Sequence, residues 1–392
     1  MRTRLLLILP ALLLTVACTS TDSVGDSKSR YTNAVVVSDL NGDGKADLLT
    51  GNGLYTNGYS DPGYASVALQ GTGGALGAAT RLTVGGDPAA LAVGDLNGDG
   101  RPDFAVANAA TGTVSVYLQS ASAPGTFTLA ATLRTGGLAP LDLAIGDLNH
   151  DGKPDLAVAT SGANSVMVFF QGSTPGTFPT ALSLALSGDP RAVAIADLNG
   201  DGRPDLAVST TADEVSVLFQ NAAAGTFAPA LDLPTGARPV ALKAVDLNGD
   251  GRLDLITANY RADRTAGVSV ILQGATAGTF LAAVNVDTGD THAAGLAVGD
   301  LDGDGRPDLA VACAGEPGFP GSVAVLRQDP AHPGAFLPPA NYGGYTGPVA
   351  VAIGDLDGDG LPDLVVGDGR PYVRPQVAGQ PGTFGPGTFL PY

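Results

Sequence analysis

Asp95-Leu96-Asn97-Gly98-Asp99-Gly100-Arg101-Pro102-Asp103 is one of seven copies of a nine-residue pattern, D-x-[ND]-x-D-G-x-x-D, in a chain of 392 residues. The copies begin at Asp39, Asp95, Asp147, Asp197, Asp246, Asp300 and Asp355, with steps of 56, 52, 50, 49, 54 and 55 residues between them. A long repeat of this kind is the signature of a solenoid, a propeller or an array.

Each copy reads as a calcium loop. Calcium takes six to eight hard oxygen ligands at about 2.3–2.6 Å. In the copy quoted, Asp95, Asn97, Asp99 and Asp103 offer side-chain oxygens at positions 1, 3, 5 and 9, and Arg101 at position 7 can offer only its backbone carbonyl. The same positions are filled by Asp39, Asn41, Asp43, Lys45 and Asp47 in the first copy and by Asp147, Asn149, Asp151, Lys153 and Asp155 in the third. The fourth has Asp197, Asn199, Asp201, Arg203 and Asp205, and the fifth Asp246, Asn248, Asp250, Arg252 and Asp254. The sixth has Asp300, Asp302, Asp304, Arg306 and Asp308, and the seventh Asp355, Asp357, Asp359, Leu361 and Asp363. The glycine at position 6 permits the positive φ that bends a chain around an ion. An EF-hand shares the first six positions but needs a bidentate Glu at position 12. Here position 12 is Thr50, Val106, Val158, Val208, Thr257, Val311 or Val366. One copy could equally be an acidic turn, but seven with carboxylates in register favour metal.

The flanks are strands, not helices. In the fourth unit AVAIADL enters the loop and PDLAVST leaves it, both short, apolar and bounded by Gly and Pro. A third strand, EVSVLFQ, ends at a glutamine that recurs as Gln70, Gln119, Gln171, Gln220, Gln273, Gln328 and Gln376. A turn follows, then an aromatic (Phe127, Phe178, Phe227, Phe280, Phe336 or Phe384, with Leu76 in the first unit), then a fourth strand. Four strands in each of seven units predict an all-β fold, a seven-bladed β-propeller spanning residues 34–392, with the Ala/Val-rich first strand innermost.

These units resemble the FG-GAP (VCBS-type) repeats of the integrin α-subunit propeller and of many bacterial surface proteins. The resemblance covers about residues 34–392 and implies that each loop joins the first two strands of a blade and binds Ca2+, up to seven ions in all. Integrin propellers keep such loops in only some blades, so a full set implies heavier reliance on calcium. The segment from Gly382 to Tyr392 can supply the seventh blade's own fourth strand, so no strand exchange is required to close the ring, although Tyr31–Asn33 could still join.

Composition agrees. The formal charge of −18 makes nucleic acid an unsuitable partner. Its origin is local, because 23 of the 38 acidic residues lie in the loops. Residues 1–17 read as a signal peptide, with Arg2 and Arg4 ahead of an apolar run too short to span a membrane. Thr15-Val16-Ala17-Cys18 resembles a lipoprotein cleavage site, with Thr15 where Leu is usual. The expectation is a lipid on Cys18, a polar tether over 18–33, and anchoring at the bacterial cell envelope, outer membrane or cell surface.

Catalytic patterns are missing. No C-x-x-C, H-E-x-x-H, G-x-S-x-G or Walker loop occurs, Cys313 reads as a buried thiol, and the acids outside the loops single out no pair. Lys243, in an otherwise apolar first strand, reads as a solvated strand end, with the central channel as the alternative. The expected function is a calcium-stabilised, lipid-anchored binding or adhesion module without a catalytic site, its partner a protein or a glycan. The alternatives are a lectin-like propeller, disfavoured by the absence of Trp, and a polysaccharide lyase. The partner surface is expected opposite the calcium loops. There the connections between second and third strands are long in blades one, five and six and short in blade seven, raising walls around a notch. Tyr55, Tyr59 and Tyr64, then Tyr260, Arg261 and Arg264, then Tyr342 and Tyr345 are expected to line it, since Tyr and Arg often dominate interfaces.

Overall fold

A computed structural model of the chain describes residues 29–56, 59–60, 62–261, 267–316 and 318–390. Seven antiparallel sheets, each built from consecutive strands, form the ring, and no helix occurs among the described residues. Blade four is typical: its strands are Pro190–Ala196, Asp205–Thr210, Glu214–Leu218 and Leu231–Pro234. Burial follows the position of the strand. The second strand is buried along its whole length, the first half opens on the central channel, and the fourth is the exposed edge. Small side chains on the inner strands let seven of them converge, and the apolar clusters lie between neighbouring blades.

Closure is plain. Blade seven takes Thr388–Phe389 as its own fourth strand, paired with Tyr372 and Val373, and among the described residues no strand is exchanged. The inner strand of blade one starts at Ser29, so the sheet includes residues that the sequence reading gave to the tether. Its Thr32 hydroxyl donates to the Gly369 carbonyl of blade seven at 3.4 Å. The long connection of blade one continues the sheet: the second strand runs from Asp47 to Thr56 and pairs with Tyr59–Ser60 and Pro62–Ala68.

Lys243 corrects one expectation. It lies on the inner strand of blade five (Pro239–Val245), only partly open to the channel, not at a solvated end. Burial pulls its pKa down to about 8, while the charge of Asp142 on blade three pushes it back up. Burial likewise lifts Asp142 to about 6 against the pull of Lys243 and of the Val193 and Leu143 N–H groups.

Candidate metal centre

The loops are built alike. The glycine at position 6 has φ between 81° and 86° in all seven, a conformation open to glycine and costly for other residues. It lets the backbone fold over the first aspartate, whose Oδ2 accepts the N–H of that glycine at 2.8–2.9 Å. His150 stands at position 4 of the third loop with φ 60°, where the other loops have Gly. At position 5 the aspartate meets the side chain at position 7. Lys45 reaches Asp43 at 2.9 Å and Lys153 reaches Asp151 at 2.7 Å, and Arg101, Arg203, Arg252 and Arg306 pair with Asp99, Asp201, Asp250 and Asp304. Loop seven has Leu361 there and no such pair.

The aspartate at position 9 anchors the loop to its blade. Asp47, Asp103, Asp155, Asp205, Asp254, Asp308 and Asp363 are all buried. One oxygen accepts the N–H of the leucine at position 2 at 2.8–3.0 Å. The other accepts the N–H of the repeated glutamine at 2.7–3.1 Å. Burial nevertheless dominates, and lifts Asp103, Asp155, Asp205, Asp308 and Asp363 to about 6 against these N–H bonds.

The glutamine side chain then crosses to the neighbouring blade. Its amide donates to the position 2 carbonyl of the loop before it: Gln119 to Leu40, Gln171 to Leu96, Gln220 to Leu148, Gln273 to Leu198, Gln328 to Leu247 and Gln376 to Leu301, at 2.7–2.9 Å. At the closing seam Gln70 reaches the Asp355 carbonyl instead, at 3.0 Å. The turn after the glutamine presses on the same loop. A Cβ on Gly125 would lie 3.4 Å from Cβ of Asn41, and one on Gly382 3.3 Å from Cβ of Asp302. Loop, glutamine and turn thus form one unit repeated around the ring.

The donor set fits a hard cation. Every side-chain ligand proposed is a carboxylate or amide oxygen, and an ionised carboxylate has roughly four acceptor sites. The N–H bonds therefore leave room for an ion. In loop six Asp300, Asp302 and Asp304, and in loop seven Asp355, Asp357 and Asp363, bring carboxylate oxygens within 4.8 Å of one another. Burial is the main reason that the carboxyls of Asp302 and Asp357 are raised. Asp302 has a partial counter-charge in Arg327 at 3.8 Å.

The FG-GAP-like repeat family matches residues 39–106, 95–158, 147–208, 204–257 and 300–366, and all seven loops fall inside those spans. The chain belongs to the FG-GAP-like repeat family. Four of the five matches begin at the first aspartate of a loop and end on the second strand of the next blade, so the family unit takes in the junction bridged by the glutamine. Human integrin alpha-IIb is 35% identical over an alignment of 163 residues that covers 36% of this chain and 16% of that protein. The chain therefore spans about a sixth of that relative. Among solved structures, a putative 6-phosphogluconolactonase from Bacteroides uniformis superposes with a TM-score of 0.55 at 15% identity, over 84% of this chain and 92% of that one. BBS1N, in a complex with ARL6DN, gives 0.50 at 13% identity over 90% and 92%. At such identities the likeness concerns the fold alone.

The expected partner surface needs correction. Tyr345 is 2% exposed, and Tyr342 and Tyr345 lie on the outer strand of blade six (Ala340–Tyr345) instead of a connection. With Tyr372 they surround the Arg374 guanidinium, which donates to the Tyr345 hydroxyl at 3.1 Å. These rings hold blade six to blade seven. Tyr64 is 8% exposed, with the Arg81 guanidinium over its ring. Tyr260 is half-buried against His292, its ring centroid 4.7 Å away, and Arg261 is half-buried beside it. Arg264 and the side chains of Tyr55 and Tyr59 lie outside the described residues, as does Cys18. Sequence reasoning missed Phe319, which is 68% exposed in the long connection of blade six. Its signal was an aromatic between turn formers, Gly318-Phe319-Pro320-Gly321. The repeated aromatic packs toward the core: Phe127, Phe178 and Phe384 are buried, and Phe227, Phe280 and Phe336 are half-buried against it.

Proposed function

We propose that the chain is a calcium-stabilised binding or adhesion module of the bacterial cell envelope, held there by a lipid on Cys18. The observation that carries the reading is the seven-fold loop, with oxygen donors in register and each loop bridged to the next blade. At each loop the residues at positions 1, 3, 5 and 9 would hold the ion through side-chain oxygens, and position 7 through its carbonyl. A bound ion supplies positive charge to carboxylates that otherwise repel one another. The aspartate at position 9 orients the leucine and glutamine N–H groups, and the glutamine carries that order to the next blade. Kinship with integrin alpha-IIb supports a protein partner and an extracellular setting.

The binding face is assigned to the side opposite the loops, around Tyr260 and Arg261 of blade five and Phe319 of blade six. Loops on a rigid scaffold are where binding usually resides. An aromatic as open as Phe319 has more to gain from a partner than from water. The test is capture from envelope extract with wild type and Phe319→Ala, in calcium and in EGTA. A partner retained only in calcium, and weakened by about 1–2 kcal/mol in the variant, is expected. Equal capture in EGTA, or by the variant, would contradict the assignment. In the same extracts Cys18→Ala should leave the detergent phase, and a variant that stays there has another anchor.

A further inference from the structure

Blade one departs from the repeat at two positions that face the same space. Two residues before the glutamine, the other blades carry Tyr117, Phe169, Leu218, Ile271, Leu326 and Arg374, whereas blade one has Ala68. After the turn, the other six blades carry a phenylalanine, whereas blade one has Leu76, and the bridge from Gln70 to Leu76 matches that from Gln220 to Phe227. In blade two the corresponding Tyr117 and Phe127 pack against Phe104 and fill the junction with blade one. At the seam between blades one and seven both fillers are small, and a cavity of about 350 Å³ opens there.

The cavity has the character of a ligand site. Ala68 and Leu76 line it from blade one, and Leu356, Val373 and Leu390 from blade seven. Hydroxyl groups of Thr50, Ser66 and Thr388 interrupt this apolar lining, and Asp357 and Asp363 of loop seven border it. Small-molecule pockets are typically apolar with a few polar groups and about 300–1,000 Å³ in volume. An apolar cavity of about 150 Å³ already accepts benzene, so one ring with a substituent fits here. The repeat itself shows what suits the space, because six blades put a phenyl ring at the equivalent place.

We propose that the seam pocket binds a single aromatic ring that blade one does not supply. The ring comes either as a free phenol-like molecule or as a Phe or Tyr side chain of a partner. The site goes beyond the calcium reading, since its space comes from Ala68 and Leu76, while Asp357 and Asp363 of loop seven form only part of its border.

Saturation-transfer NMR in calcium tests it with two probes, p-cresol and N-acetyl-Gly-Thr-Phe-amide. Transfer to the aromatic protons of at least one probe is expected with wild type. Preference for p-cresol would indicate a free ligand, and preference for the peptide a side chain. The double variant A68L/L76F restores the fillers and should lose at least nine-tenths of the transfer while melting no lower than wild type. L76F alone, which carries the repeat's own residue, should lose most of it and serves if the double variant fails to fold. No transfer to either probe with wild type, or undiminished transfer to a folded variant, would overturn the proposal.

Discussion

A glutamine side chain ties each blade to the loop before it. In blade four the Gln220 amide donates to Leu148 of the preceding blade at 2.8 Å and to Pro204 of its own at 3.1 Å, while its backbone N–H reaches Asp205. Gln220→Ala keeps the backbone bond and leaves a buried carbonyl unpaired, so it should cost about 1–3 kcal/mol in a denaturant titration. A change within experimental error would mean that the bridge is incidental. The glutamines were visible in the sequence as a recurring strand end, but their partner was not. A donor that reaches a carbonyl 72 or more residues away leaves no local pattern. The tyrosines show the opposite failure. Tyr345 is expected on a connection of the open face, yet it lies on a strand where Arg374 and Tyr372 bury it. Alternation along a strand decides which side chain points inward, and a short glycine-rich strand shows little of it.

At the scale of the element, the aspartate loop is a strand–loop–strand unit whose position 9 carboxylate is buried. The boundaries of that unit were legible because Gly, Pro and Asp recur in register, whereas the Ser29–Asn33 extension was legible only as an option at Tyr31–Asn33, since polar residues can pair in an edge as well as remain in a tether. The titration of the unit can be predicted. Asp103, Asp155, Asp205, Asp308 and Asp363 have folded pKa values of about 6, above the ordinary carboxylate value near 3.9. Between those values the metal-free fold binds more protons than the unfolded chain. Their contribution to metal-free stability is therefore full at low pH and lost as pH rises through about 6. Calcium requires the ionised form, so its effect runs the other way. The melting temperature gained from calcium should be largest above pH 7 and should shrink steadily toward pH 5. A gain that is constant over that range would show that these carboxylates do not hold the ion.

At the scale of the molecule, the ring concentrates acid on one face. Without residues 1–17 the formal charge is −20, and seven Ca2+ would reduce it to −6. Extracellular calcium sites often have Kd of about 10⁻⁴–10⁻³ M. At millimolar calcium each such site contributes only about 0.4–1.4 kcal/mol. Seven sites together reach about 3–10 kcal/mol, comparable with the whole stability of a domain. Because each loop is bridged to the next blade, the loss should be felt by the ring as a unit. The fold was legible at this scale from seven loops and seven glutamines. The seam pocket was legible only in part: Leu76 stood out in the sequence, but the space beside it depends on how blades one and seven meet. Differential scanning calorimetry of the protein in 2 mM calcium and in excess EGTA at pH 7.5 tests the central claim most directly. One cooperative transition that falls by at least about 10 °C in EGTA and recovers when calcium is restored is predicted, and an unchanged melting temperature would contradict the account.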